Sequence, residues 1–336
     1  MSQLPHPETI QPTVRELIER RLAAGSRPGS RDDRYRLALV VEGGANRGTI
    51  TGGMGLELAE RGVLPAVDDL YGASSGAITA AWLASPHPER LHGWQDPTYT
   101  RMLIRPHNLL RRRPLIDLRT LTEVVYTRLS PMDFAGVLAS PATWHPVATD
   151  AESGEAVDLR PMLSEPADVQ TALRASCGIP VLSGAPVGLA GRRYVDAGVA
   201  EPIPFRTALR QGATHLLVLR SRRADDVPRH SAMAPVLAHA MRRRYPPAYQ
   251  QALLTSTARY QQDERDLAEL ARTPVVWALR PGPSAPDVAR FATDAAVLVA
   301  GFEAGRAAVR DGFSTNSTAS ANSDTNASPT MRSVRH

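Results

Sequence analysis

Leu70-Tyr71-Gly72-Ala73-Ser74-Ser75-Gly76-Ala77-Ile78 is the stretch on which the fold turns. An apolar pair runs into a glycine, a serine follows two residues later, and a second glycine opens the small-residue run 77–84. This G-x-S-x-G pattern puts a serine at the apex of a tight strand-to-helix turn, where the flanking glycines let two backbones pass closely. A flexible Gly/Ser loop would carry the same letters, so the flanks decide. A strand pattern before the motif and a helical pattern after it favour the elbow. Ser74 takes the apex, with Ser75 as the competing serine.

The same alternation continues outward on both sides. Residues 37–41 form an apolar strand that ends in Glu42-Gly43-Gly44-Ala45-Asn46-Arg47-Gly48, and a helix over 49–61 stops at Gly62. Further strands are predicted at 145–149, 194–195, 215–219 and 275–279, and further helices at 167–175, 232–244, 249–272 and 287–310. Strands and helices in alternation predict an α/β fold with a mostly parallel central sheet and helices on both faces. Residues 86–118, rich in proline and histidine, interrupt the pattern as either a lid or a surface insertion. A polar, arginine-rich N-terminal extension with one amphipathic helical stretch around residues 14–22 is expected over 1–34, the domain over 35–311, and a disordered Ser/Thr/Asn-rich tail over 312–336.

Composition narrows the partners. The 39 basic and 34 acidic residues give a net charge of +5, and every basic residue is arginine, since the chain has no lysine. The arginines are scattered and no nucleic-acid-binding motif accompanies them, so no nucleic-acid partner is expected. The single cysteine, Cys177, excludes an intramolecular disulfide. Neither a secretory leader nor an apolar run of about 20 residues is present, so a cytoplasmic protein with at most peripheral membrane contact is expected. The stretch 102–113 alternates apolar pairs with arginines, as an interfacial segment would, or a solvated loop whose leucines pack inward. Oligomeric state is not legible.

Two further motifs carry chemistry. The Glu42–Gly48 loop presents bare N–H groups at a helix start, where negative charge is favoured. It could hold an oxyanion through Gly43, Gly44 and Ala45, or be a degraded dinucleotide fingerprint with Glu60 as the ribose-binding acid. Tyr194-Val195-Asp196-Ala197-Gly198 places an aspartate on a turn after a strand; alone, it is a common turn former.

The glycine-rich loop, the elbow and the Asp-x-Gly turn, in that order, resemble the patatin-like phospholipases. That family carries an acidic-Gly-Gly-Gly-x-Arg-Gly loop, matched from Glu42 to Gly48, the elbow at Gly72 to Gly76, and an Asp-Gly-Gly or Asp-Gly-Ala turn at Asp196 to Gly198. Ala148-Thr149-Asp150 and Arg174-Ala175-Ser176-Cys177-Gly178-Ile179-Pro180 add to the likeness, which spans about 37–220. The resemblance implies a three-layer α/β/α hydrolase of lipid carboxylic esters (phospholipid, lysophospholipid or neutral lipid) that uses no metal or cofactor. Ser74 would be the nucleophile and Asp196 the base. Gly43, Gly44 and Ala45 would form the oxyanion hole, supported by Arg47, Gly48, Gly72, Gly76 and Gly198. Glu42 stands where the family has Asp, Ala45 for the third glycine, and Ala197 for the glycine after the aspartate. A methyl at either alanine would restrict the backbone.

Three rival readings remain at this level. A Ser-Asp-His esterase would recruit His215 or His239. A nucleotide-binding protein would use the 42–48 loop, and a catalytically silent scaffold would keep the fold alone. His87, His92, His107 and His145 lack metal-ligand spacing.

Overall fold

The computed structural model describes residues 11–105, 108, 111, 113–226, 239 and 241–314. Its centre is one sheet of β1 (Leu37–Val41), β2 (Asp69–Ala73), β3 (Thr143–Asp150), β4 (Ala156–Asp158), β5 (Val187–Leu189), β6 (Arg192–Val195), β7 (His215–Leu219) and β8 (Val276–Leu279). The strands lie in the order β5-β6-β3-β2-β1-β7-β8, with β4 on β3. The run β3-β2-β1-β7-β8 is parallel, and β4, β5 and β6 form an antiparallel flank. This is the mostly parallel α/β architecture expected. The apolar run of β1 and that of β7 after His215 are buried at every residue, as strands covered on both faces must be.

Strand alternation divides the core. Leu37, Leu39 and Val41 face one layer, which includes α2 (Gly48–Glu60), α3 (Ser75–Ala84), α6 (Pro166–Cys177) and α9 (Ala295–Ser314). Ala38 and Val40 face the other, where Phe205 of α7 (Phe205–Arg210) and Tyr260 and Leu267 of α8 (Pro247–Leu270) pack. Shorter helices are α1 (Val14–Ala23), α4 (Pro97–Leu103) and α5 (Phe134–Ala139).

One expectation needs correction. The helix predicted over 287–310 begins at Ala295, because the Asp294 carboxylate captures the Val297 N–H at 3.1 Å; the Arg290 and Ala292 carbonyls before it accept from the Asn46 N–H and side-chain amide at 2.9 and 2.6 Å. Within the polar N-terminal segment the expected helical stretch forms as α1. Val14, Leu17 and Ile18 of α1 are buried, and Arg21 is sealed between Asp33 and Asp68 at 2.8 and 2.7 Å. Of the expected tail, 312–314 belong to α9 and 315–336 lie outside the described residues. Most of the helix predicted over 232–244 lies outside them too. Among the described residues, no helix is long and apolar enough to cross a membrane.

Candidate active site

The β2–α3 turn is as tight as the pattern requires. A Cβ on Gly72 would stand 2.4 Å from the Gly76 carbonyl oxygen, and one on Gly76 would stand 2.2 Å from that of Val41, so only glycine fits at either place. Ser74 at the apex has φ 53° and ψ −124°, a strained conformation for a residue with a side chain. Its N–H donates to Ser176 Oγ at 2.9 Å, and Ser176 in turn donates to the Val147 carbonyl at 2.6 Å, tying the elbow to β3. Ser74 Oγ donates to Asp196 Oδ2 at 2.6 Å. Ser75, by contrast, starts α3 with its hydroxyl buried and unpartnered.

Asp196 is held from three sides. Its Oδ1 accepts the Gly198 N–H at 2.7 Å, its N–H donates to the Gly178 carbonyl at 2.9 Å, and its carbonyl accepts from Thr149 Oγ1 at 2.8 Å. A Cβ on Gly198 would crowd that carboxylate at 2.7 Å. Burial raises the Asp196 pKa above the usual carboxylate value, against the hydrogen bonds from Ser74 and Gly198. The methyl of Ala197 packs against Ala73 and Val147, and its φ is not positive, so the alanine is accommodated.

The glycine-rich loop departs from expectation at Gly43. Its N–H donates to the Pro202 carbonyl at 3.0 Å and is therefore committed to the fold. The N–H groups of Gly44 and Ala45 donate to no described residue, and the first N–H of α3, on Ser75, is a helix-terminal donor. Ala45 has φ 51°, a left-handed conformation that glycine would adopt without strain.

Glu42 is wholly buried and anchors this loop. Its carboxylate accepts from Arg220 Nε at 3.0 Å, from the Ser221 N–H at 2.7 Å and from the Tyr260 hydroxyl, and Arg220 is braced in turn by Glu264. Burial alone would raise the Glu42 pKa, but the Arg220 charge and the Tyr260 and Ser221 donors outweigh it and hold the group ionised. Arg47 lies buried behind the loop with Nε unpartnered; burial and the neighbouring Arg222 lower its pKa to about 10. Gly48 opens α2 beneath Trp94.

The rival residues lie elsewhere. His215 is level with Leu37 at the amino end of β7, whereas Ser74 lies past Gly72, which is level with Val41. Four strand residues separate those levels, about 13 Å at the usual rise. The His215 ring sits against the Pro12 carbonyl at 2.9 Å. His239 is exposed beside Arg242, and Glu60 pairs with Arg306. No group of side chains that could hold a metal occurs among the described residues; His107 lies outside them.

A pocket of about 120 Å³ opens beside Ser74. Ser75, Ile78 and Trp82 of α3 line one wall, and Trp94, Tyr99, Leu103 and Ile104 line another. Described residues of the 86–118 segment thus line the pocket, and the apolar groups at 103 and 104 face inward. Pro106, His107, Leu109, Leu110 and Arg112 lie outside the described residues.

Comparison with known proteins bears on the family of the chain. The family described as patatin-like phospholipase matches residues 39–209, just over half of the chain. The uncharacterized protein YjjU of Escherichia coli (strain K12) is 29% identical over 242 residues, which is 71% of this chain and 65% of that protein, so the chain spans less than two thirds of that relative. Among solved structures, VipD from Legionella pneumophila aligns with a TM-score of 0.43 and 12% identity, over 83% of this chain and 67% of that one.

Proposed function

Because the chain belongs to the patatin-like phospholipase family, we propose that it hydrolyses carboxylic esters of lipids through an acyl-enzyme on Ser74, with Asp196 as the only side-chain base. The observation that carries this reading is the 2.6 Å hydrogen bond from Ser74 Oγ to a buried carboxylate, at the strained apex of an elbow. Asp196 takes the hydroxyl proton as Oγ attacks the ester carbonyl, so the serine never ionises at its own high pKa. Burial makes that carboxylate a stronger base than a solvated one.

The tetrahedral oxyanion that follows needs donors already in place. Gly44 and Ala45, with the Ser75 N–H, are the groups free to serve, each contributing about 3–4 kcal/mol. Gly43 then acts through the backbone: its bond to Pro202 and the Glu42 anchor set the path of the loop. The alcohol leaves with the proton from Asp196, and water releases the acyl group by the reverse sequence.

The apolar cavity beside Ser74 suits the acyl chain of a phospholipid, lysophospholipid or neutral lipid. Access to such substrates is proposed to be peripheral, and no nucleic-acid partner is proposed. A fluorophosphonate probe followed by peptide mapping tests the nucleophile. Label on Ser74, and none on the Ser74→Ala chain, is expected; label on Ser75 would refute the assignment. Hydrolysis of a panel of phospholipid, lysophospholipid, triacylglycerol and p-nitrophenyl esters then ranks the substrate classes.

A further inference from the structure

Ser75, Ile78 and Trp82 share one face of α3 and line the pocket, whereas Ser85, next on that face, does not. The pocket therefore stops at Trp82, about two helical turns from the nucleophile. Trp82 is buried and meets the buried ring of Tyr126 edge-on at 5.4 Å. Both rings line the pocket, so together they form one wall across its end.

Tyr126 owes its place in that wall to an uncommon helix. Residues Leu121–Leu129 form a π-helix, whose hydrogen bonds join residues five apart; the Ser130 N–H closes the last of them on the Val125 carbonyl at 2.8 Å. Residues four and five apart then share a face. The four residues of this segment that line the pocket, Leu121, Val125, Tyr126 and Ser130, follow that spacing. At the roughly 3.6 residues per turn of an α-helix, Tyr126 and Ser130 would turn well away from Leu121. The segment is also pinned from behind: Gln170 and Arg174 of α6 donate to the Thr122 carbonyl and hydroxyl at 3.4 and 3.1 Å.

Volume decides what such a pocket admits. It holds about 120 Å³, whereas an apolar cavity of about 150 Å³ takes one benzene. Resting on the acyl-hydrolase reading, we propose that the π-helix and Trp82 form an end wall that restricts the acyl half of the ester to about six carbons. The preferred substrates are then esters of short, straight-chain acids. A long fatty acyl chain would leave most of its methylenes outside the pocket, without the burial that favours each one by about fourfold. Tyr126 is the specificity-determining residue, because its ring fills the space into which a longer chain would run.

A series of p-nitrophenyl esters of straight-chain acids with two to twelve carbons, each kept below its aggregation threshold, tests this. In wild type kcat/KM is expected to rise about fourfold per methylene up to roughly six carbons and to fall at least about tenfold by twelve. Tyr126→Ala removes about seven heavy atoms from the wall, so its optimum should move to about ten carbons; Tyr126→Leu, the milder change should the first not fold, should move it to about eight. Leu129→Ala, on the exposed side of the same helix, should leave the optimum in place. Calorimetry of the same esters on Ser74→Ala reads the pocket without turnover. If wild type hydrolyses none of them, the Ser74 chemistry fails, while the calorimetric dependence on chain length still decides the wall. A kcat/KM or an affinity that keeps rising to twelve carbons in wild type overturns the proposal. An optimum unmoved in folded Tyr126→Leu, or moved equally by Leu129→Ala, does so as well.

Discussion

Asp196 meets opposing demands at the scale of a single residue. Burial raises its pKa, so the folded state favours the protonated form more than the unfolded chain does. A carboxyl shifted upward lowers stability as pH rises past its unfolded value, and that loss is complete above its folded value. At neutral pH the charge is therefore destabilising. Asp196→Asn should raise the melting temperature by a few degrees, since the amide oxygen can still accept from Gly198 and its NH₂ can donate to Ser74. The same change removes the proposed base and should lower kcat by about 10²–10⁴-fold. Parallel melting and ester-turnover measurements check the pair; a variant both less stable and fully active would contradict both halves. In wild type, kcat/KM should decline on acidification with a midpoint above the ordinary carboxyl value of 3.8.

Ala45 gives a second test at this scale. A non-glycine residue in the left-handed region costs roughly 1–2 kcal/mol, and Ala45 holds φ 51° in the loop proposed to bind the oxyanion. Ala45→Gly relieves that strain but adds freedom to the unfolded chain, so stability should change by less than about 1 kcal/mol. Turnover should be kept or raised. A tenfold fall in kcat would show that the alanine itself fixes the donor geometry.

Among the elements, β2, β3 and β4 are clasped by His145. Its Nδ1 lies 2.8 Å from Asp158 and its Nε2 lies 3.1 Å from Asp69, and the ring stacks on Tyr71 at 4.3 Å. A neutral imidazole donates at only one nitrogen, so satisfying both carboxylates requires the imidazolium. Burial alone would lower the His145 pKa, but the two carboxylates outweigh it and raise it above 6.5. The stability this contributes is fully present below the unfolded value of about 6.5 and is lost as pH rises through the higher folded value. Denaturant melts should therefore show wild type losing stability from neutral toward alkaline pH. His145→Gln should be less stable at pH 6 and lack that slope. Parallel pH profiles for the two chains would remove the clasp from the account.

Elements also show what the sequence could and could not convey. β1 and β7 were readable from end to end because a buried parallel strand is a continuous apolar run. β4 and β5, three residues each, are too short to display a period. The start of α9 was legible in Asp294, a capping residue that the broader apolar pattern over 287–310 obscured. Ser74 and Asp196 were proposed as partners on a motif resemblance, and the fold brings them together across 122 residues. The Glu42 anchor went unseen, since Arg220 and Tyr260 lie 178 and 218 residues away and pairs so distant leave no local pattern. The commitment of the Gly43 N–H to Pro202 was invisible for the same reason.

For the whole molecule, the question is how much chain the fold requires. The family match stops at 39–209, yet β7 and β8 complete the parallel sheet beyond it, and α1 precedes it. α1 closes the end of the sheet opposite Ser74. The Val14 N–H donates to the Pro274 carbonyl at 3.0 Å, the Pro12 carbonyl faces His215, and Arg21 donates to the Ala66 carbonyl at 2.8 Å while pairing with Asp68, which accepts the Leu37 N–H. Three buried aliphatic side chains contribute about 1.5–3 kcal/mol each, and their sum approaches the roughly 5–15 kcal/mol by which a domain is stable at all. A chain beginning at Tyr35 should therefore melt at least about 10 °C below the full chain or fail to fold. Leu17→Ala, which empties one contact and leaves the rest of α1 in place, should cost about 2–5 kcal/mol. Ester turnover per folded molecule should be unchanged in Leu17→Ala, because α1 lies at the amino ends of the strands and the elbow lies at their carboxyl ends. Thermal melts and turnover of the three chains form the test. A chain beginning at Tyr35 that melts with the full chain would mean that α1 rests on the sheet without supporting it.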